Sequence, residues 1–335
     1  MRAVLTQQER ISGGLWGSLV GDALGVPVEF QDRAARVADP VTGMRGHGTH
    51  GQPPGTWSDD GALLLCSVES LVEAGFDPDD MAQRFLRWRE EGLWSAHGEV
   101  FDIGIATSLS LSRVKSGVPA EQAGGRDEHS NGNGSLMRIL PVALASLTEP
   151  GEVFRERIHR ASAITHGHAR SGMACVFFGL LVKALMEDGS RLEAWKSAAA
   201  EFAGIYEKSA EFGVFNRLLR DGFGELPERA IRSDGYVIHT LEAAVWCLLT
   251  TDDFTPCVLS AVNLGSDTDT TGCVAGGLAG ICYGKDAIPE EWRQALPRQE
   301  EIQGLMAKLR SPEGTASPTG SILKKQGHLQ TPWRH

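Results

Sequence analysis

Apolar and small residues recur at every third or fourth position along most of this chain. Strict alternation of apolar and polar residues is almost absent. Residues 6–24 set the pattern, with Ile11, Leu15, Leu19 and Ala23 each four apart, the spacing of one helical face. Similar spacing predicts helices over 61–74, 79–92, 104–116, 135–147, 153–164, 169–187, 191–208, 236–250, 254–264 and 271–283. Start signals support several of them: Asp77-Pro78-Asp79-Asp80 precedes 81–91, and Thr255-Pro256 opens the helix before Asn263. The expected class is all-α.

Glycine breaks these runs. It makes up 40 of 335 residues, well above the usual share of about 7%. It clusters in Gly43–Gly55, Gly124–Gly134 and Gly265–Gly284. The last cluster falls inside a predicted helix, where each glycine costs up to about 1 kcal/mol relative to alanine. Gly272, Gly276, Gly277 and Gly280 form a small face there, one that lets another helix or a ligand approach closely. No internal repeat or linker divides the chain, so one domain over 8–305 is the simplest division. Residues 311–335 form a tail that opens with the low-complexity run Ser311-Pro312-Glu313-Gly314-Thr315-Ala316-Ser317-Pro318-Thr319-Gly320.

Charge narrows the partners. The net charge is −11 and the pI about 5.4, which argues against non-specific attraction to nucleic acid or an anionic membrane. The first residues lack a signal-type apolar stretch, and no window reaches the roughly 18 continuous apolar residues of a membrane span. Six cysteines, Cys66, Cys175, Cys247, Cys257, Cys273 and Cys282, stand mostly in apolar runs without a CxxC pair. They read as buried free thiols, and the expected location is cytoplasmic.

Two acidic clusters carry the most chemistry. The first is Trp57-Ser58-Asp59-Asp60-Gly61, and the second is Gly265-Ser266-Asp267-Thr268-Asp269-Thr270-Thr271-Gly272. Each opens an apolar helix, so each has a plain reading as a helix cap that complements the helix dipole. Taken alone, the first cluster reads as a cap. The second supplies five candidates where one residue suffices, and alternation sets Asp267 and Asp269 on one side of an extended loop. Adjacent carboxylates raise each other's proton affinity unless a cation offsets them. Together the clusters point to an all-oxygen site for Mg²⁺ or Mn²⁺, with Ser58, Asp59, Asp60, Asp267, Asp269 and Thr270 as ligands. Two such ions about 3.5–4 Å apart orient or activate a water.

Four further segments are candidates. Asn131-Gly132-Asn133-Gly134-Ser135 leads into a helix expected near Ser135, either a phosphate cradle or a capped turn. Thr165-His166-Gly167-His168 interrupts a helical stretch. Its spacing is not helix-face metal geometry, and a loop histidine donating to a ligand fits better than a metal ligand. Asp102, within Phe101-Asp102-Ile103-Gly104, is either a cap for 104–116 or a buried acid with a raised pKa. Glu29 follows the first helix, which ends at Gly25, and invites the same argument.

In order along residues 10 to 285, the motifs GSLVGDALG (17–25), WSDD (57–60), FDIG (101–104), GNGSLMR (132–138), ITH (164–166), GYV (235–237), TLEAAVW (240–246) and GSDTDT (265–270) resemble the ADP-ribosylglycohydrolases. This group includes the dinitrogenase reductase-activating glycohydrolase and the ADP-ribosylarginine hydrolases. The resemblance implies a compact single-domain orthogonal bundle of helices. It also implies two Mg²⁺ or Mn²⁺ ions at the bottom of a cleft, held by the six residues above and meeting the distal ribose of ADP-ribose. Gly132, Asn133, Gly134, Ser135 and Met137 match the segment that holds the diphosphate. His166 and Tyr236 match positions lining the nucleotide pocket. Asp102 and Glu29 match acids near the scissile bond, and with Asp60 they form the expected catalytic set. Ser58 and Gly61 stand where the family often has threonines, and Ile105 where it often has asparagine. The implied activity removes ADP-ribose from a modified protein, most simply from arginine. The alternatives are a non-catalytic ADP-ribose binder and a Mg²⁺-dependent nucleotide-diphosphate phosphohydrolase.

Overall fold

Two glycine-lined helices set the geometry of this molecule. They are α1 (Gln7–Gly25) and α14 (Thr268–Tyr283). Gly13, Gly17 and Gly21 of α1 face Gly280, Gly276 and Gly272 of α14 in antiparallel register. A Cβ added at these three α1 positions would lie only 2.0–2.2 Å from the facing carbonyl oxygens. The small face read from Gly272, Gly276 and Gly280 is thus filled by another helix, and that helix carries its own four-residue glycine repeat. Glycine is required here because the two backbones touch without side chains between them.

The computed structural model describes residues 4–187 and 190–309. Between the paired helices come α2 (Arg33–Ala38), α3 (Asp59–Ala74), α4 (Pro78–Glu91), α5 (Ile105–Lys115), α6 (Ala120–Ala123), α7 (Leu140–Ala145), α8 (Gly151–Ala163) and α9 (Ala169–Met186). They continue with α10 (Arg191–Tyr206), α11 (Asn216–Leu219), α12 (Val237–Thr250) and α13 (Phe254–Asn263). After α14 come α15 (Glu290–Ala295) and α16 (Gln299–Lys308). The described residues contain no β-strand, so the all-α expectation holds. Predicted tail residues 311–335 lie outside the described residues.

The helix starts obey ordinary capping chemistry. Thr6 and Glu9 form a capping box on α1, and Asp77 accepts from the Asp79 and Asp80 amides with Pro78 in the first turn of α4. One continuous apolar core runs from Ile11 to Leu309 and takes in α9 almost whole. α9 is long and apolar enough to cross a membrane by length and composition, but 72% of it is buried inside the protein.

Three expectations need correction. The helix over 135–147 forms only as Leu140–Ala145, and residues 133–139 are a chain of turns. Pro141 explains this: it has no N–H for a bond to the Met137 carbonyl and is tolerated only in a first turn. The Gly132–Ser135 segment is therefore a loop and not a helix start. Asp269 lies in the first turn of α14, not on an extended loop. Asp102 does not cap α5; Gly104 occupies that position without a side-chain bond.

Candidate active site

Asp22 of α1 joins the parts of the site. Its carboxylate accepts from the Ser58 amide at 3.0 and 3.1 Å and from the Gly61 amide at 2.7 Å. These are free amides at the start of α3, where a carboxylate also complements the helix dipole. Ser58 caps α3 as well, accepting from the Asp60 amide at 3.3 Å. The Asp59 and Asp60 carboxylates are left free of capping duty. At its far end α1 meets α14, where the Thr268 hydroxyl donates to the Gly25 carbonyl at 2.8 Å.

That arrangement brings the two acidic clusters together. The Ser58 and Thr270 hydroxyls both lie 3.3 Å from Asp60 Oδ2. Asp267 Oδ2 accepts from Asn133 Nδ2 at 2.9 Å, and the same amide reaches Thr240 Oγ1 at 2.9 Å. Ser58, Asp59, Asp60, Asp269 and Thr270 are buried, and Asp267 is half-buried. No lysine or arginine bonds to the cluster among the described residues. Among the described residues, Asp60 Oδ1, Asp267 Oδ1 and Asp269 Oδ2 are buried without a hydrogen-bond partner.

Burial and mutual repulsion raise the proton affinity of the whole cluster. Asp59 and Asp60 are pushed well up by burial and then by neighbouring carboxylates. Asp267 and Asp269 rise for the same first reason. Burial takes Asp22 up to about 7 despite its hydrogen bonds from two backbone amides. Orphaned oxygens in a buried, uncompensated acidic cluster fit a hard divalent cation, which takes oxygen ligands and offsets their repulsion.

Glu29 and Asp102 stand beside this cluster. A Glu29 oxygen lies within 4.8 Å of oxygens from Asp267 and Asp269. Burial, then Asp102, Asp267 and Asp59, push Glu29 up to about 10. A carboxylate oxygen of Asp102 lies within 4.8 Å of Glu29, and the Asp102 backbone is left-handed at φ 51°. His50 was not expected: its Nε2 bonds Glu29 Oε2, and its ring lies 5.1 Å from Phe101. The loop before it packs tightly, because a Cβ at Gly48 would fall 1.9 Å from the Pro27 carbonyl.

The loop Gly132–Ser135 lines another wall. Gly132 bridges to Tyr236 and Gly125 to His166. His166 is buried, and burial plus the Arg138 charge lowers its pKa to about 3. Tyr236 is half-buried at the start of α12, its hydroxyl 3.2 Å from Arg170. Ser135 and Met137 face inward: Ser135 Oγ contacts Ser162 and Cys175, and the Met137 carbonyl accepts from Cys273. Glu128, His168 and Glu211 also converge, but Arg170 already bonds both carboxylates.

The family model for ADP-ribosylglycohydrolases matches residues 3–318. The chain belongs to the ADP-ribosylglycohydrolase family. It is 32% identical over 306 residues to an ADP-ribosylarginine hydrolase, Tri1, of Serratia proteamaculans, covering 90% of this chain and 79% of that protein. It is 30% identical over 299 residues to the ADP-ribosyl-[dinitrogen reductase] glycohydrolase of Rhodospirillum rubrum, covering 88% and 92%. A solved structure described as an ADP-ribosylglycohydrolase-related protein complex superposes with a TM-score of 0.77 at 34% identity, over 90% of this chain and 97% of that one. The protein is therefore a hydrolase of this family.

Membership gives the departures a physical reading. A Cβ at Gly61 would lie 2.8 Å from Leu19 and from the Trp57 ring. Trp57 occupies the space a side chain would need, and its indole N–H is fixed on the Trp94 carbonyl at 2.9 Å. Ile105 is 80% exposed and takes no part in the acidic cluster. Sequence reasoning missed Asp22, His50 and Thr240 as site residues. Asp22 and Thr240 lay inside motifs already singled out, and an acid within a glycine-apolar helix was the available signal.

Proposed function

We propose that this chain removes ADP-ribose from modified arginine side chains, using two divalent cations, Mg²⁺ or Mn²⁺. The observation that carries the metal reading is the set of buried carboxylate oxygens without partners on Asp60, Asp267 and Asp269. Ser58, Asp59, Asp60, Asp267, Asp269 and Thr270 would hold the ions. A bound pair supplies positive charge that polarises the ribose hydroxyls and a water.

The remaining chemistry belongs to the chain itself. Cleavage breaks the bond between the anomeric carbon and the arginine nitrogen through an oxocarbenium-like state. Glu29 and Asp102 bring carboxylate oxygens within 4.8 Å of each other at the edge of the acidic cluster. A proton from this pair goes to the departing guanidine nitrogen. The anomeric carbon takes hydroxide from water, and the second proton of that water returns to the pair. The carboxylates of Glu29 and Asp102, negative after the first of these transfers, also stabilise the guanidinium that leaves. His50 holds Glu29 Oε2 in place. The Gly132–Gly134 loop, His166 and Tyr236 receive the diphosphate and nucleotide.

The test is a panel of ADP-ribosylated arginine, serine and acyl-linked peptides, with Mg²⁺ or Mn²⁺ or after chelation. Metal-dependent release of intact ADP-ribose from the arginine peptide is expected. Release of AMP instead would identify a phosphohydrolase, and binding without turnover on every linkage would identify a reader. Undiminished turnover by Asp60→Asn and Asp269→Asn would remove the metal assignment.

A further inference from the structure

Arg138 is completely buried, yet among the described residues no carboxylate bonds to it. Its hydrogen bonds go to the Ala161 carbonyl at 3.1 Å and to Thr165 Oγ1 at 2.7 Å. Its guanidinium carbon lies 4.7 Å from the Phe85 ring centroid. Nε and one terminal nitrogen have no hydrogen-bond partner among the described residues. A buried cation without a counter-charge is costly, and the fold alone gives it no purpose.

Hydrogen-bond direction supplies one. We propose that Arg138, acting through Thr165, holds His166 as a neutral imidazole with its proton on Nε2, a fixed donor to an oxygen of ADP-ribose against the Gly132–Gly134 loop. The inference rests on the reading of this cleft as an ADP-ribose site. Arg138 and Thr165 are positioning residues in it, and His166 is the group that touches the ligand.

One hydroxyl sets the position of the ring proton. A guanidinium only donates, so Thr165 Oγ1 accepts from Arg138 and keeps its own proton. Its other described partner is His166 Nδ1, at 2.8 Å. The hydroxyl proton therefore goes to Nδ1, which must be bare, and the ring proton sits on Nε2. The opposite tautomer would leave the buried Thr165 proton without an acceptor. An imidazolium would face the Arg138 charge, and burial with that charge already lowers the His166 pKa to about 3.

The ring is aimed by its backbone and by the glycines opposite. The His166 amide donates to the Ser162 carbonyl at 2.8 Å, and Ser162 Oγ donates to the His166 carbonyl at 3.1 Å. A Cβ at Gly132 would fall 3.2 Å from Nε2, and one at Gly134 would fall 2.8 Å from Cε1. The Nε2 edge thus lies along the loop, and no protein group among the described residues pairs with it.

Nitrogen-15 NMR of histidine-labelled protein reads the tautomer directly, with His166→Gln to assign the signal. The full chain should show Nδ1 bare and Nε2 protonated at neutral pH without ligand. Thr165→Val keeps the shape and removes the hydroxyl. It should mix the tautomers and weaken ADP-ribose binding roughly tenfold in titration calorimetry, the worth of one hydrogen bond. Thr165→Ser should restore both. An Nδ1-protonated or cationic His166 in the wild type would overturn the proposal, as would a folded Thr165→Val protein with unchanged tautomer and affinity. The free-protein spectrum tests the relay by itself. ADP-ribose binding by the wild type tests the functional reading, and its absence would overturn the ligand assignment.

Discussion

Replacing Gly276 by alanine isolates the contact on which the site depends. The new Cβ would sit 2.1 Å from the Gly17 carbonyl oxygen, whereas real Cβ atoms essentially never approach within 3.0 Å. α1 and α14 must therefore part by about 1 Å, since neither partner is a flexible side chain. Overpacking of this kind costs about 1–3 kcal/mol, partly offset by the gain of about 1 kcal/mol in helix propensity. The two terms leave a net loss of up to about 2 kcal/mol, which lowers the melting temperature by up to about 3 °C at about 2.1 cal/mol/K of unfolding entropy per residue over roughly 300 residues. Activity should suffer more than stability, because the two helices carry Asp22 and the Asp267–Thr270 cluster. A misplacement of about 1 Å in such a site can cost on the order of a hundredfold in turnover. The matched controls are Gly204→Ala and Gly304→Ala, where an added Cβ meets nothing within 4 Å. Both should raise stability by about 0.5–1 kcal/mol through helix propensity. Calorimetric melts of the three variants with turnover measured in parallel decide the matter. A Gly276→Ala protein as stable and active as the controls would refute the close-packing argument.

Two further outcomes follow from the buried charges. If the acidic cluster binds Mg²⁺ or Mn²⁺, adding metal at about 100 times its Kd should stabilise the fold by about 2.7 kcal/mol. The shift should disappear in Asp60→Asn or Asp269→Asn, and an unresponsive wild-type melt would speak against a metal site. His159, far along α8 and bonded to Tyr206 Oη at 2.6 Å, is lowered from 6.5 to about 4 by burial and then by Arg155. Its stability contribution is present above pH 6.5, where both states are neutral, and is lost as pH falls towards 4, where the unfolded chain binds the proton first. The loss should not exceed about 3 kcal/mol. Urea titrations at pH 7 and 4.5 should show a smaller drop for His159→Phe, and an identical drop would discount this histidine.

Helices with a wide apolar stripe were legible because packing and periodicity agree. α3, α9, α12 and α14 start within three residues of their expected positions. α2, α6, α11 and α15 are too short to show a period, and the stretch 135–139 lost its helix to Pro141. The second acidic cluster stood out because a cap needs fewer groups than the chain supplies there, and the structure brings it against the first at Thr270 and Asp60. Asp22 was not legible, because its work is done on backbone amides 36 and 39 residues away. His50 was hidden for a related reason. Its position on Glu29 depends on a glycine loop folding back over Pro27, which leaves no periodic mark in the sequence.

The glycine ladder and the acidic cluster are therefore two parts of one arrangement. Carboxylates this close repel, so the chain must fix their backbones by contacts that do not involve the carboxylates themselves. α1 and α14 meet through main chain at four levels, and at the last a Cβ added at Gly25 would fall 2.3 Å from the Asp269 amide. Asp22 then ties the start of α3 to α1 through amides alone. The carboxylates of Asp59, Asp60, Asp267 and Asp269 are thus held by backbone from three helices, and oxygens on three of them stay unpaired. A site assembled this way is rigid before any ligand arrives, because the repulsion is borne by helix packing and not by side-chain partners that a ligand would have to displace.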